Sequence, residues 1–360
     1  MRLIHIVPQL PPTLGGVGGY ALALARCLRD QAGMESLFLV ADPAWLGGAQ
    51  LEKGLAVRRL EAREAGALHC SLEEEAGQGT AGAVAVLLHY ANYGYQRRGC
   101  PVWLERGVRC WKAGQAGSHA RLVTFFHEVY ASGSPRHSSF WLSPLQRHLA
   151  ARLARLSDRS ATSLDLYAGL LESLAPGTRA LVLPVLSPLG EPAAPPPLAD
   201  RQPRRLVLFG GTGARRRALT ESRDDLIAAC RTLGIEEVLD IGPPLSDSLP
   251  EMIAGTPVRA LGPLADGEAS ACLLAAFAGF VAYPPAFFGK STVFAVYCSH
   301  GLLPVCAGGG AWPSPGDLAW SPGAPAGPLE LQEIADDART WYMGHSAAHL
   351  AASFRTLLCV

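Results

Sequence analysis

Charge is the first thing this sequence has little of. Only 17% of its 360 residues are charged, and Lys plus Arg balance Asp plus Glu at 31 each. A zero net charge argues against a nucleic-acid binder driven by bulk charge, though local basic patches remain open. With 49% hydrophobic residues, long disorder is excluded and large cores can form. Paired cysteines are missing too. The nine cysteines are scattered, odd in number and free of any CxxC pair. They read as reduced cytosolic cysteines, mostly core fillers, rather than a disulfide frame or a metal site, so no metal is expected. The strict phosphate-loop pattern is also absent, because Pro284 stands where a glycine is required ahead of Gly289-Lys290-Ser291. No GxGxxG occurs after the first strand.

Membrane signals are equally thin. The apolar run at Met1 to Val7 is too short for a signal peptide and leads into a Pro/Gly loop. Ala269 to Gly289 carries no charge, but its Pro284-Pro285 break and its split into a helix and a short strand mean that no span is expected. The expected location is the cytoplasm, with peripheral membrane contact left open.

What is present is an alternation of strand and helix signals, run through twice. Leu3 to Val7, Leu37 to Val40, Val84 to Tyr90 and Arg121 to Phe126 read as buried strands. Ala21 to Leu28, Trp141 to Ala154 and Leu164 to Leu174 read as helices. Pro184 to Arg205 holds seven prolines and reads as a semi-rigid linker. The alternation then restarts: strands at Leu206 to Phe209, Glu237 to Ile241 and Val258 to Gly262, a helix at Glu268 to Ala278, and a strand at Phe280 to Tyr283. The expected domains are 1–185, a linker at 186–204, a second domain at 205–335, and a helical segment at 336–360 that crosses back to the first. The fold class is α/β, with two Rossmann-like domains whose parallel sheets face across a cleft.

Three places carry chemistry. Gly15-Gly16-Val17-Gly18-Gly19-Tyr20 joins the first strand to the first helix, where glycine lets the backbone approach a ligand at a helix start. His127-Glu128 follows a strand, at the end where open parallel sheets place ligands. His89 and Tyr90 end another strand at the same edge. In the second half, Gly289-Lys290-Ser291-Thr292 opens a helix after a strand. A helix N-terminus, a lysine and two hydroxyls suit a phosphate. The turn Gly210-Gly211-Thr212-Gly213 is followed by a turn Ala214-Arg215-Arg216-Arg217, whose forked cations match phosphate oxygens.

These motifs resemble the GT-B glycosyltransferases, in particular the large retaining family four that includes sucrose-phosphate synthases. Pro11-Pro12, Gly15 to Tyr20 and Ala23-Leu24-Ala25 are similar to that family's opening PP…GGVG.Y…LA. His127-Glu128, the stretch Leu156 to Ser163, and Gly301 to Val305 as its G.PV turn match more loosely. The resemblance implies transfer of a hexosyl group from a nucleoside diphosphate sugar to an acceptor hydroxyl, with retention and no cofactor. It implies donor and phosphate roles for Gly16, Gly18, Gly19, Arg215, Arg216, Lys290, Ser291 and Thr292. It puts Gly262 and Leu264 in the region of the base, and His127, with Glu128, at the reacting sugar. Its acceptor loops would be Tyr93 to Arg98 and Ser132 to Phe140. No nucleic acid is implied as partner. One departure is plain. The family's paired glutamates ahead of the G.PV turn fall, counting back from Gly301, on Phe288 and Val296. That keeps a non-catalytic partner protein of the same fold in play. An NADP-dependent oxidoreductase, read from Phe209 to Gly213 and the arginines, is the other alternative.

Overall fold

The computed structural model describes residues 2–11, 16–48, 50–52, 55–77, 84–115, 120–131, 134–245, 249–308, 318–325 and 327–359. Contacts divide the chain into two compact units, Met1–Pro184 with Ala347–Val360, and Val185–Ser346.

The first unit is built on one sheet. Its strands are β1 (Arg2–Val7), β2 (Ser36–Val40), β3 (Gln50–Glu52), β4 (Leu55–Arg59), β5 (Val84–Tyr90), β6 (Arg121–Phe126), β7 (Arg159–Thr162) and β8 (Ala180–Val182). Their order is β3-β4-β2-β1-β5-β6-β7-β8, and all pairs are parallel except β3 with β4. The β1, β2 and β5 strands are near-continuous runs of buried residues, as expected where helices cover both faces of a parallel sheet. The chain leaves β1 toward β2 and β4, then returns to β5 on the other side. That reversal opens a crevice beyond the carboxyl ends of β1 and β5. The helix Ala347–Leu358 packs on the helix Gly16–Ala32, and its Phe354 stacks on Phe125 with ring centroids 5.9 Å apart.

The second unit repeats the plan. Strands β9 (Arg205–Phe209), β10 (Glu237–Ile241), β11 (Met252–Ile253), β12 (Thr256–Gly262), β13 (Ala278–Val281) and β14 (Leu303–Cys306) lie in the order β11-β12-β10-β9-β13-β14. All pair in parallel except β11 with β12. Here the reversal falls between β9 and β13. The tight approach of helix to sheet at that point depends on Gly279. A Cβ there would sit 2.5 Å from the ring of Tyr297, whose hydroxyl donates to Val207 O at 3.1 Å.

Several local expectations change. The glycine stretch is the first turn of the helix Gly16–Ala32, not a loop ahead of it. The three arginines sit on a helix, Thr212–Leu219, rather than in a turn. The strand expected at Phe280 to Tyr283 runs two residues earlier, and a 3-10 turn, Pro285–Lys290, follows it. Leu303–Cys306 is a strand entered through Gly301 at φ +64°, where a turn was expected. Helices Ala65–Gly77 and Val102–Gly114 were not anticipated. The proline-rich stretch is held on the second unit by the buried Arg201, which donates to Pro196 O at 2.8 Å, Ala276 O at 2.8 Å and His300 O at 2.9 Å. A saturated guanidinium anchors a segment that has few backbone donors of its own.

Candidate active site

In the first unit the residues of interest gather beyond the carboxyl ends of β5 and β6. His127 follows β6 directly, and its N–H donates to Tyr90 O at 2.9 Å, extending the ladder by one rung. The side chain is half-buried, flanked by Phe125 with centroids 4.7 Å apart and by the edge of Tyr20 at 5.1 Å. Its Nε2 lies 3.1 Å from Nδ1 of His89. His89 Nε2 lies 3.0 Å from Nδ1 of His5, and His5 Nε2 lies 3.1 Å from Oγ of Ser36. Three imidazoles and a hydroxyl thus form one line across β6, β5, β1 and β2. His5 and His89 are fully buried. Burial pulls the pKa of His5 down to about 3 and that of His89 well below its ordinary value, with the neighbouring imidazoles adding to the effect on His89. Both are neutral at physiological pH.

Glu128 is half-buried, and its charge helps keep the Tyr90 phenol protonated, secondarily to burial. At the helix start, Gly18 is a packing glycine. A Cβ there would stand 2.4 Å from Gln9 O. Gly16 and Gly19 are exposed, with nothing within 4 Å of a Cβ. Theirs is the backbone a ligand can approach. Pro12, Gly15 and Ser132 lie outside the described residues. The Tyr93 to Arg98 loop is tied down by the buried Gln146, which donates to Tyr93 Oη at 3.2 Å and Arg98 O at 3.1 Å.

In the second unit a cavity of about 130 Å³ opens beyond the carboxyl ends of β9 and β13, at the reversal of strand order. Lys290, Ser291 and Thr292 line one side, and Arg217 with Tyr283 another. None of the described lining residues is a carboxylate. Ser291 caps the helix Thr292–Ser299, its Oγ accepting from Phe294 N at 3.2 Å. Capping uses the oxygen's lone pair and leaves the hydroxyl hydrogen able to donate. Lys290 Nζ stands 5.7 Å from the centroid of Phe287. The loop over this site needs its glycine, since Gly210 has φ +110° and a Cβ there would meet Val293 at 2.8 Å.

Two Rossmann-like units, each with its crevice at the strand reversal and a last helix returned to the first unit, form a distinctive whole-chain pattern. No family model and no curated protein sequence matches the chain. Solved structures do, over nearly the full length. Sucrose-phosphate synthase from Thermosynechococcus elongatus is similar at a TM-score of 0.63 and 12% identity, covering 99% of this chain and 98% of that one. An alpha-glucosyltransferase in complex with UDP and a 13-mer DNA follows at 0.55 and 10%, covering 99% and 98%. WaaG, a glycosyltransferase involved in lipopolysaccharide biosynthesis, stands at 0.51 and 14%, covering 98% and 95%. The chain has the GT-B fold.

On this GT-B framework the three arginines separate by helical spacing. Arg215 is buried, and its guanidinium is taken up by Asp240, by Gly210 O at 2.9 Å and by Pro243 O. It braces the glycine loop and also lines the cavity, with three of its five N–H donors taken by these partners. Arg216 points to solvent and does not line the cavity. Arg217, left out of the donor set that the resemblance implies, does line it. Its guanidinium stands over the Tyr283 ring, 5.6 Å from the centroid, and its Nε is buried without a hydrogen-bond partner among the described residues. A helical wheel would have separated the three, had the segment been read as helix. Gly262 ends β12, two places from β9, Leu264 follows it, and neither lines the cavity. Phe288 and Val296 are core residues, 5% and 0% exposed. His5 went unnoticed as a partner of His89, although it is the lone polar residue between Leu3 and Val7.

Proposed function

We propose that the protein is a glycosyltransferase that moves a hexosyl group from a nucleoside diphosphate sugar to an acceptor hydroxyl, with retention. The observation that carries this reading is the cationic cavity at the strand reversal of the second unit. There Arg217, Lys290 and the N-terminus of a helix converge, with no carboxylate among the described lining residues. Such a site suits a diphosphate. In the reaction, negative charge grows on the departing diphosphate as the sugar becomes oxocarbenium-like. Two cations and a fixed helix dipole would stabilise that charge without reorganising. Arg215 would act through the loop it holds. In the first unit, His127 would orient the donor sugar, and Gly16 and Gly19 would offer backbone to it. The leaving phosphate would take the acceptor's proton. The similar alpha-glucosyltransferase binds UDP, which favours a uridine donor as the first to try.

One observation favours a second reading. The positions counted to the family's glutamates carry Phe288 and Val296, both buried. A GT-B protein that binds a nucleotide and transfers nothing would look like this. Calorimetric titration with UDP, GDP, ADP and NADPH separates the cases. The glycosyltransferase reading expects one nucleoside diphosphate to bind, binding to be lost in Lys290→Ala, and the matching sugar nucleotide to turn over. Binding without turnover of any donor selects the second reading. Binding of NADPH alone, or of none, overturns both.

A further inference from the structure

The helix Ser138–Leu156 of the first unit buries one face and leaves the other uncovered. Ala150, Ala151, Leu153 and Ala154 belong to the core. On the outward side stand Trp141, 71% exposed, Phe140 at 43% and, one helical turn on, Leu145 at 40%. Trp141 is exposed yet fixed. Its Nε1 donates to Pro135 O at 3.0 Å, and its ring stands at 85° to that of Phe140 with centroids 5.2 Å apart. Single apolar side chains on a surface need no explanation; a contiguous group of this size marks an interaction site.

The charge around this group is of one sign. Val129 to Ser157 holds four arginines and two histidines, and no aspartate or glutamate. Arg136, Arg147 and His148 are exposed, and the Arg147 guanidinium stands 4.5 Å from the centroid of the Tyr130 ring. The loop Tyr93 to Arg98 adds Arg97 and Arg98, both exposed, and is tied to this helix through Gln146. The one carboxylate of the adjoining helix Val102–Gly114, Glu105, is buried and taken by Arg109 and Arg152. The next acids along the chain, Glu128 and Asp158, lie beyond the two ends of the segment. The cations are spread over a helix and a loop, which matches an extended layer of headgroups better than a single acidic group.

We infer that this face docks on an anionic lipid surface. Trp141, Phe140 and Leu145 enter the boundary between headgroups and acyl chains, and the surrounding arginines meet the lipid phosphates and carboxylates. Tryptophan favours that boundary, because its ring is apolar and its N–H is polar. Arginine stems lie along the apolar layer while their heads stay with the headgroups. The hydrogen bond to Pro135 holds the indole ready, so little side-chain freedom is lost on docking. The inference is independent of the activity proposed above.

The test is flotation of the whole protein with vesicles of phosphatidylcholine alone, and of phosphatidylcholine with about a third phosphatidylserine, at neutral pH. Binding is expected to the anionic vesicles and not to the neutral ones, and should fall as salt rises from about 0.05 to 0.5 M. Trp141→Ala should weaken it about fivefold or more, through lost apolar burial. Arg136→Gln and Arg147→Gln should each weaken it about fivefold, through lost charge. Arg231→Gln, at an exposed arginine of the second unit, should leave it within about twofold. All four side chains are largely outside the core, and circular dichroism checks that the variants fold. Bromine on the acyl chains should quench tryptophan emission in the wild type and less in Trp141→Ala. Absence of binding to anionic vesicles, or binding indifferent to Trp141→Ala, overturns the inference. So does a dimer that Trp141→Ala disperses without lipid, which makes the face a contact between copies. The vesicles contain no nucleotide, so this result and the nucleotide titration fail separately.

Discussion

The ring of Phe288 lies flat on that of Phe294, centroids 3.8 Å apart and planes 13° from parallel. Phe288 lies within the 3-10 turn, Pro285–Lys290, that delivers Lys290, and Phe294 lies in the first turn of the helix that Ser291 caps. The stack therefore sets the geometry of the anion site. Phe288→Ala should cost about 3–5 kcal/mol of stability, the usual loss for a buried phenylalanine. Chemical denaturation measures it. Phe288→Glu should be worse, since a carboxylate in that stack has no partner. It should lower nucleotide affinity rather than supply a sugar contact.

Lys290→Ala and Arg217→Ala should each weaken nucleoside diphosphate binding roughly tenfold or more, the worth of a charge-assisted hydrogen bond. Arg216→Ala, on the solvent face of the same helix, should leave affinity within about twofold, because no contact to the cavity is lost. Calorimetry on the three variants checks the assignment. A larger loss in Arg216→Ala than in Arg217→Ala would refute it.

Arg215 and Asp240 form an ion pair with both side chains nearly fully buried. Burial raises the Asp240 carboxyl in spite of its partner, which signals how expensive the pair is to desolvate. Removing one member leaves the other charge uncompensated. Arg215→Ala or Asp240→Ala should therefore destabilise the second unit by about 3–5 kcal/mol. Replacing both together should cost less than the sum. A double-mutant cycle in denaturant reads the coupling.

Gly18 and Gly19 should part company. Gly18→Ala drives a Cβ into Gln9 O and should lower stability by at least about 1–3 kcal/mol. Gly19→Ala meets nothing and gains helix propensity, so it should raise stability by about 0.5–1 kcal/mol. Under the proposed function it should also lower donor affinity. Thermal melts with and without nucleotide separate the two effects.

Acid should weaken the fold through its buried histidines. His5 has its pKa lowered to about 3, His300 to about 4, and His89 well below its ordinary value, all chiefly by burial. The unfolded chain takes up these protons below about pH 6.5, while the folded chain does not. Stability from this source is complete above that pH and is lost as pH falls toward 4 and 3. The slope should approach 1.4 kcal/mol per pH unit for each histidine, or roughly that. In His89→Asn the slope between about pH 4 and 6 should flatten.

Much of the α/β plan could be read from composition and periodicity. Buried parallel strands are short apolar runs, and Val84 to Tyr90 and Glu237 to Ile241 were bounded correctly because each stands alone between polar or glycine-rich segments. Helices Ala65–Gly77 and Val102–Gly114 escaped, since their charged residues mask the apolar face. The position of His127 at a strand's carboxyl end, and of Lys290-Ser291-Thr292 at a helix start, followed from local order alone. Both concern residues adjacent in the chain.

What the chain's own order determined is thus the alternation of strand and helix and the side chains lying at element ends. Those depend on contacts between near neighbours. Tertiary structure alone decided the rest. It kept Arg215 at the cavity as a buried brace, put Arg217 beside it and turned Arg216 to solvent, because a helix rotates successive residues by a fixed angle and only the packed face is known after folding. It joined His5, His89 and His127, which are far apart in sequence, because parallel strands β1, β5 and β6 are neighbours in the sheet. Hydrogen bonds between strands are set by register, and no single strand carries that information.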